Sequence, residues 1–326
     1  MRPPLPMVML LALVASTVAF SQTGSSTPSA SAFVIRAGVL VDPESGTATT
    51  NQTIVVESGK IRAVGTDLVV AAVPGATVID LSRFTVMPGV FDAHTHLCMD
   101  VNLRRDSGSY FFTTLQDPDS YRAIQGVVNA RDMLEAGFTT VRDVGNEGNY
   151  ACSSVRRAVE EGKIAGPTIL NAGRIIAPFG GQFHLQPEKR GLGEPEYFFA
   201  DTRDEMRKAI RENIHFGARL IKLVVDDQRY IYSSDDIKFM VDEAAQSGLK
   251  VAAHVWTRAG AHNAAVAGVA SMEHLNGAAD EDIELAKRNG VTAVFTPFPK
   301  ASLEQFSSPG DAASEYAREI DRLRSG

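Results

Sequence analysis

VMPGVFDAHTHL, residues 86–97, divides the chain into two rhythms. Upstream lie short β-branched runs, FVIRAGVLVD at 33–42, TIVVESGKIRAVG at 53–65 and VVAAVPGATVIDL at 69–81. Gly, Pro and Asp cut them, so they read as strands joined by turns. Residues 33–85 therefore predict a small β domain. From residue 86 onward, apolar strands alternate with helical patterns. The strands are VMPGVFDAHTHL itself, TTVRDVG, PTILNAGRIIA, ARLIKLVVD, KVAAHV, ASMEHL and VTAVFTP.

Six segments between them carry apolar residues at spacings of three and four, and each ends in glycine: 120–137, 154–162, 202–217, 234–248, 258–268 and 280–290. Glycine just past a helix is a common stop. Ser234 and Asp235 are expected to cap the fourth of these helices. Strand–helix alternation predicts a parallel sheet, and near-continuous apolar strands predict cover on both faces. An open doubly wound sheet gathers its functional groups at one switch point, whereas a (β/α)8 barrel spreads them over the C-terminal ends of many strands. Here His94 and His96 end the first strand and Asp143 the second. Lys222 and Asp226 lie in the fourth, His254 in the fifth and His274 in the sixth. That spread predicts a TIM barrel, with seven strands present.

The bulk properties narrow the function. The chain has 326 residues and a formal charge of −7, which leaves no basic footprint for nucleic acid. No strand is followed by a glycine-rich phosphate loop. Residues 1–21, with Arg2 before an apolar run and Ala19 and Ser21 at a cut site, read as a secretory signal peptide. An uncleaved anchor is the other reading. Residues 22–32 form a small-residue linker, and the mature protein is expected in the periplasm or outside the cell, with no membrane partner once the signal is cut. Cys98 and Cys152 are the two cysteines. They are either a disulfide or two buried thiols.

Side chains alternate along a strand, so His94 and His96 face the same way. Two imidazoles so placed suit adjacent positions on one metal ion. His254 and His274, also at strand ends, extend the set. Each alone could be a core histidine; four together predict a divalent-metal site. Neutral imidazoles suit zinc, and other divalent transition metals fit as well. Lys222 stands inside the apolar RLIKLVVDD. A buried ammonium is expensive unless it is paired or neutralised. Either it pairs with a carboxylate such as Asp143, or its amine is carbamylated and bridges two metal ions. One ion or two therefore hangs on Lys222.

VMPGVFDAHTHL, GFTTVRDVG, LIKLVVDD, KVAAHV and SMEHL, in this order, resemble the amidohydrolase superfamily, closest to its imidazolonepropionase-like and Xaa-Pro dipeptidase (prolidase)-like branch. The resemblance covers residues 33 to about 300. It implies a metal-dependent hydrolase barrel over 86–326. His94 and His96 would bind one metal, Lys222 would be the carbamylated bridge, and His254 and His274 would hold the second. The resemblance further implies that metal-activated hydroxide would hydrolyse a C–N bond of a small amide, cyclic amide or dipeptide. The family's eighth-strand aspartate, a ligand and the acid–base, finds no match here. After VTAVFTPFP comes the helical pattern SEYAREIDRLRSG, and the chain stops. The family's β domain also takes C-terminal strands, so residues 33–85 are expected to be the N-terminal part of a composite β-sandwich and the barrel incomplete. A homo-oligomer is also implied.

Substrate contacts are expected from His184, in the long loop 177–198, and from Tyr230 and Tyr232 after the fourth strand. Packing competes for both tyrosines. The rival to catalysis is a non-catalytic periplasmic protein that binds metal or a small molecule, or an inactive remnant.

Overall fold

The computed structural model describes residues 32–66, 75–106 and 109–296. The expected signal peptide, nearly all of the linker and the helical pattern after residue 312 lie outside them. No helix among the described residues is long and apolar enough to cross a membrane. The chain divides into two compact units between Pro88 and Gly89.

The first unit contains β1 (Ala32–Asp42), β2 (Thr47–Glu57), β3 (Lys60–Gly65) and β4 (Thr77–Val86). They form one sheet in the order β3-β2-β1-β4. β2 and β3 are joined by Ser58 and Gly59, both at positive φ. That two-residue turn matches the right-handed twist of its strands. Val34, Ala37, Ile54 and Val55 are its buried apolar side chains. Among the described residues this unit is a single sheet, so the second layer of the expected sandwich is not among them.

The second unit alternates as its sequence requires. β5 (Val90–Thr95) leads through two short helices, α1 (Leu103–Asp106) and α2 (Tyr110–Gln116), to α3 (Asp119–Glu135). β6 (Phe138–Asp143), α4 (Ala151–Glu160), β7 (Thr168–Asn171), β8 (Ile175–Ala177) and β9 (Tyr197–Phe199) follow. Then come α5 (Arg203–His215), β10 (Ile221–Val224), α6 (Ser234–Ala245), β11 (Val251–Val255), α7 (Arg258–Ala267), β12 (Ser271–His274), α8 (Asp280–Arg288) and β13 (Thr292–Val294). All six expected helices end at a glycine of positive φ: Gly137, Gly162, Gly217, Gly248, Gly268 and Gly290. A side chain would strain each of these turns. At the other ends, Thr202 forms a capping box with Glu205, and Thr257 accepts from the Gly260 amide. The cap of α6 is Ser233 rather than Ser234 or Asp235, because Ser233 keeps extended backbone and accepts from the Asp236 amide.

The barrel-type order is present but open. One sheet runs β5-β6-β7 and another β13-β12-β11-β10-β8-β9. β7 and β8 are the two halves of the expected third strand. Gly173, at positive φ between them, breaks it, and Arg219 and Ala172 take over the local backbone bonds. β9 is an extra strand, parallel to β8, inside what reads from sequence as a loop. Among the described residues β5 and β13 pair with no common neighbour, so no closed barrel is formed.

Parity along the strands separates two environments. Ile221, Leu223 and Val225, with Val251, Ala253, Val255 and Met272, join Met206, Ile210, Ile237, Met240 and Ala264 of the helices in the main core. Fully burying one such side chain contributes about 1.5–3 kcal/mol. The opposite parity, Lys222, His254, Ser271 and Glu273, faces the other way, toward the strand interior.

Candidate metal centre

Four of the expected ligands are ring neighbours. The His94 ring lies 5.2 Å from His96 and 4.8 Å from His274, and His274 lies 4.6 Å from His254. His94 and His96 meet because β5 alternates. His274 meets them for another reason: it ends β12 at positive φ, followed by Leu275 also at positive φ. That turn brings its ring to the side already used by Glu273, which strict alternation forbids.

The outer nitrogens of the first pair are committed. His94 Nδ1 lies 2.8 Å from Glu273 Oε2, and His96 Nδ1 lies 2.9 Å from the Gly145 carbonyl. Both partners only accept, so Nδ1 carries the proton and Nε2 keeps its lone pair. This is the arrangement in which metal-binding histidines are usually held. His274 Nδ1 is 2.8 Å from Thr296 Oγ1. Burial, reinforced by the Lys222 charge, lowers His94 to about 3; burial lowers His96 to about 4 and pushes His274 well below the usual imidazole range. All three are neutral at pH 7, as ligands must be.

Lys222 is 2% exposed, and its Nζ has no hydrogen-bond partner among the described residues. Burial lowers its pKa to about 8. The ion pair with Asp143 is not made. Asp143 instead accepts from the Leu97 amide at 2.6 Å and the Gly145 amide at 3.2 Å, fixing the turn that carries His96. Burial raises Asp143 and its neighbour Glu147 together. An orphaned buried amine beside neutral imidazoles fits a group that would be neutralised or modified. The donor set therefore suits a divalent transition metal.

Asp226, Asp227 and His254 form the one described group of three whose ligand atoms all lie within 4.8 Å of one another. Asp226 is spoken for: it accepts from Trp256 N, Thr257 N and Thr257 Oγ1, closing the start of α7. Asp227 Oδ2 stands 2.8 Å from His254 Nε2, outside hydrogen-bond geometry, and accepts from Gln182.

The expected substrate residues divide. His184 is exposed on the loop after β8, and Tyr230 is 51% exposed. Tyr232 is fully buried and donates to the Ala200 carbonyl at 2.6 Å, so packing holds it. Cys98 and Cys152 are both buried free thiols. A cavity of about 540 Å³ lies elsewhere, between α4 and α5, lined by Arg156, Arg157, Arg174 and Glu212. Three residues absent from the sequence reading border the imidazoles. Glu273 and Arg142 were hidden by motifs, SMEHL and TTVRDVG, whose His and Asp took the attention. Trp256, the single tryptophan, stacks on His254 at 5.9 Å and is 48% exposed.

The amidohydrolase family model matches residues 85–326. Ochratoxinase of Aspergillus niger is 30% identical over 300 residues, covering 83% of this chain and 60% of that protein. Its crystal structure superposes with a TM-score of 0.74 at 26% identity, over 88% of this chain and 70% of that one. A prolidase complexed with N-methylphosphonate-L-proline gives 0.72 at 27% identity, over 88% and 72%. Imidazolonepropionase of Thermoanaerobacter pseudethanolicus is 24% identical over 75% of this chain and 61% of its own length. The chain thus spans about 60% of the length of the curated relatives it matches. With a family model spanning the whole second unit, the chain belongs to the amidohydrolase family.

Proposed function

We propose that this protein is a metal-dependent hydrolase that cleaves a C–N bond in a small amide, cyclic amide or dipeptide. The observation that carries the reading is the pairing of His94 and His96. Both have Nδ1–H committed to acceptors and the Nε2 lone pair left for a metal, beside an orphaned Lys222 amine. His94, His96, His254, His274 and Lys222 would hold one or two divalent ions, zinc by preference, with Lys222 carbamylated where two are bound. Such an ion lowers the pKa of water and polarises a carbonyl.

The remaining roles belong to the chain itself. Asp143 keeps the His96 turn in place through two amide bonds. His184 and Tyr230, exposed at the ends of the third and fourth strands, would meet the substrate. Trp256 offers a flat face beside His254 and His274. The apolar N-terminal segment supports export to the periplasm or beyond, and a homo-oligomer accords with the family.

The relatives named above are hydrolases, which disfavours a purely binding role. A panel of cyclic amides, N-acyl amino acids and X-Pro dipeptides tests the choice. The expected result is turnover that a chelator abolishes and Zn²⁺ restores. Turnover indifferent to chelator overturns the reading, and metal uptake with no turnover on any substrate favours the binding role.

A further inference from the structure

Glu273 and Arg142 form an ion pair at 2.6 Å between β12 and β6. Glu273 is fully buried in β12. Its carboxylate receives three donors: His94 Nδ1 at 2.8 Å, Arg142 Nη2 at 2.6 Å and Ser271 Oγ at 2.6 Å. Arg142, from β6, does more than neutralise it. Its Nη1 donates to Ser271 Oγ at 2.9 Å and its Nε to the Ala93 carbonyl at 2.6 Å. The β5–β6 register is interrupted between Asp92 and Thr95, which takes Ala93 out of the ladder. One guanidinium therefore grips the backbone immediately before His94 and, through Glu273, the ring of His94 itself.

β5 belongs to one sheet and β12 to the other, with no strand pairing between them. The His94–Glu273 bond spans them. A buried ion pair is weak grounds for stability, because desolvation offsets most of the attraction. Its worth lies in the geometry it imposes.

We infer that Glu273 and Arg142 are positioning residues that fix the ring orientation and tautomer of His94, so that Nε2 presents its lone pair. The inference rests on the metal-site reading for its purpose, but not for its test. A carboxylate in this position locks the proton on Nδ1 and strengthens the ring as a ligand. Arg142 and Ser271 hold that carboxylate in one rotamer. His96, held by a backbone carbonyl, needs no such partner and serves as the internal control.

The test is imidazole ¹⁵N–¹H correlation of the metal-free, ¹⁵N-histidine-labelled protein, with His94 assigned by its loss in His94→Asn. Wild type is expected to show His94 protonated on Nδ1. In Glu273→Gln, His94 shifts toward the Nε2-protonated form while His96 keeps its signal. Zn²⁺ affinity by chelator competition falls about 10- to 100-fold. A loss of packing alone would lower stability without moving the tautomer of one ring. A wild-type His94 protonated on Nε2, or a Glu273→Gln protein with unchanged His94 signal and Zn²⁺ affinity, overturns the proposal. Should Glu273→Gln fail to fold, Arg142→Lys decides. Lysine cannot hold Ala93, Ser271 and Glu273 at once, so the His94 signal must change, and an unchanged one is contrary. A wild type that takes up no Zn²⁺ defeats the metal reading and leaves the tautomer result standing.

Discussion

At the residue scale, burial decides the chemistry. His94 and His96 sit at about 3 and about 4, against 6.5 when exposed. Between those limits the unfolded chain binds more protons than the folded one. The contribution of these two histidines to the stability of the metal-free protein therefore falls as pH drops from about 6.5 toward 4, by about 1.4 kcal/mol per pH unit for each group fully in that window. Glu273, which burial would raise, is held at about 2 by His94, Lys222 and Arg142, so its own contribution is lost only below the 4.5 of a free carboxyl. Asp143 and Glu147, raised by burial, oppose this trend over the same range, so the histidine share is read by difference. From urea midpoints, the gain in stability between pH 5 and pH 7 should be smaller in His96→Asn than in wild type, and an unchanged pH dependence would count against buried neutral imidazoles. For Lys222, ¹³C-bicarbonate should place a carbamate carbon in the wild-type NMR spectrum and none in Lys222→Ala. A wild type without that carbon removes the bridge. The four histidines were legible because period-2 strands and strand ends are visible in sequence. Glu273 was not, because alternation sets it opposite His274, and only the left-handed turn at His274 puts both on one side.

Elements tell a similar story with a different exception. Helix limits were written in the sequence by glycine, and the structure places every one of those six glycines at positive φ. Gly268→Ala meets no atom within 4 Å, so its cost is backbone strain alone, about 1 kcal/mol. Gly260→Ala is different. Its Cβ would lie 2.1 Å from Asp226 Oδ2, the acceptor that closes the start of α7. It should cost clearly more than Gly268→Ala in chemical denaturation, and equal losses would contradict the capping role given to Asp226. The broken third strand was not legible. PTILNAGRIIA reads as one apolar run, and nothing local announces that Gly173 turns left-handed where a Cβ would meet Asn213 Oδ1 at 2.6 Å. β9 was missed because three residues, Tyr197–Phe199, are too short for any period to register.

For the whole molecule, the sequence order of strand-end groups predicted their convergence, and the second unit links His96, His94, His274 and His254 in that order as ring neighbours 4.6–5.2 Å apart. Lys222 faces the same interior with its amine unpartnered. The open order of the second unit agrees with the incomplete barrel that the motifs implied, whereas the first unit shows one sheet of the expected sandwich among the described residues, since motifs report local strands and not how distant edges are paired. What the account requires above all is that this set binds metal. The most direct measurement is the divalent-metal content of the purified protein, by mass spectrometry, in wild type and in His94→Asn/His96→Asn. One or two equivalents are expected in wild type, removed by chelator and regained from Zn²⁺, with a marked loss in the double variant. A wild type that neither carries nor takes up a divalent ion would contradict it.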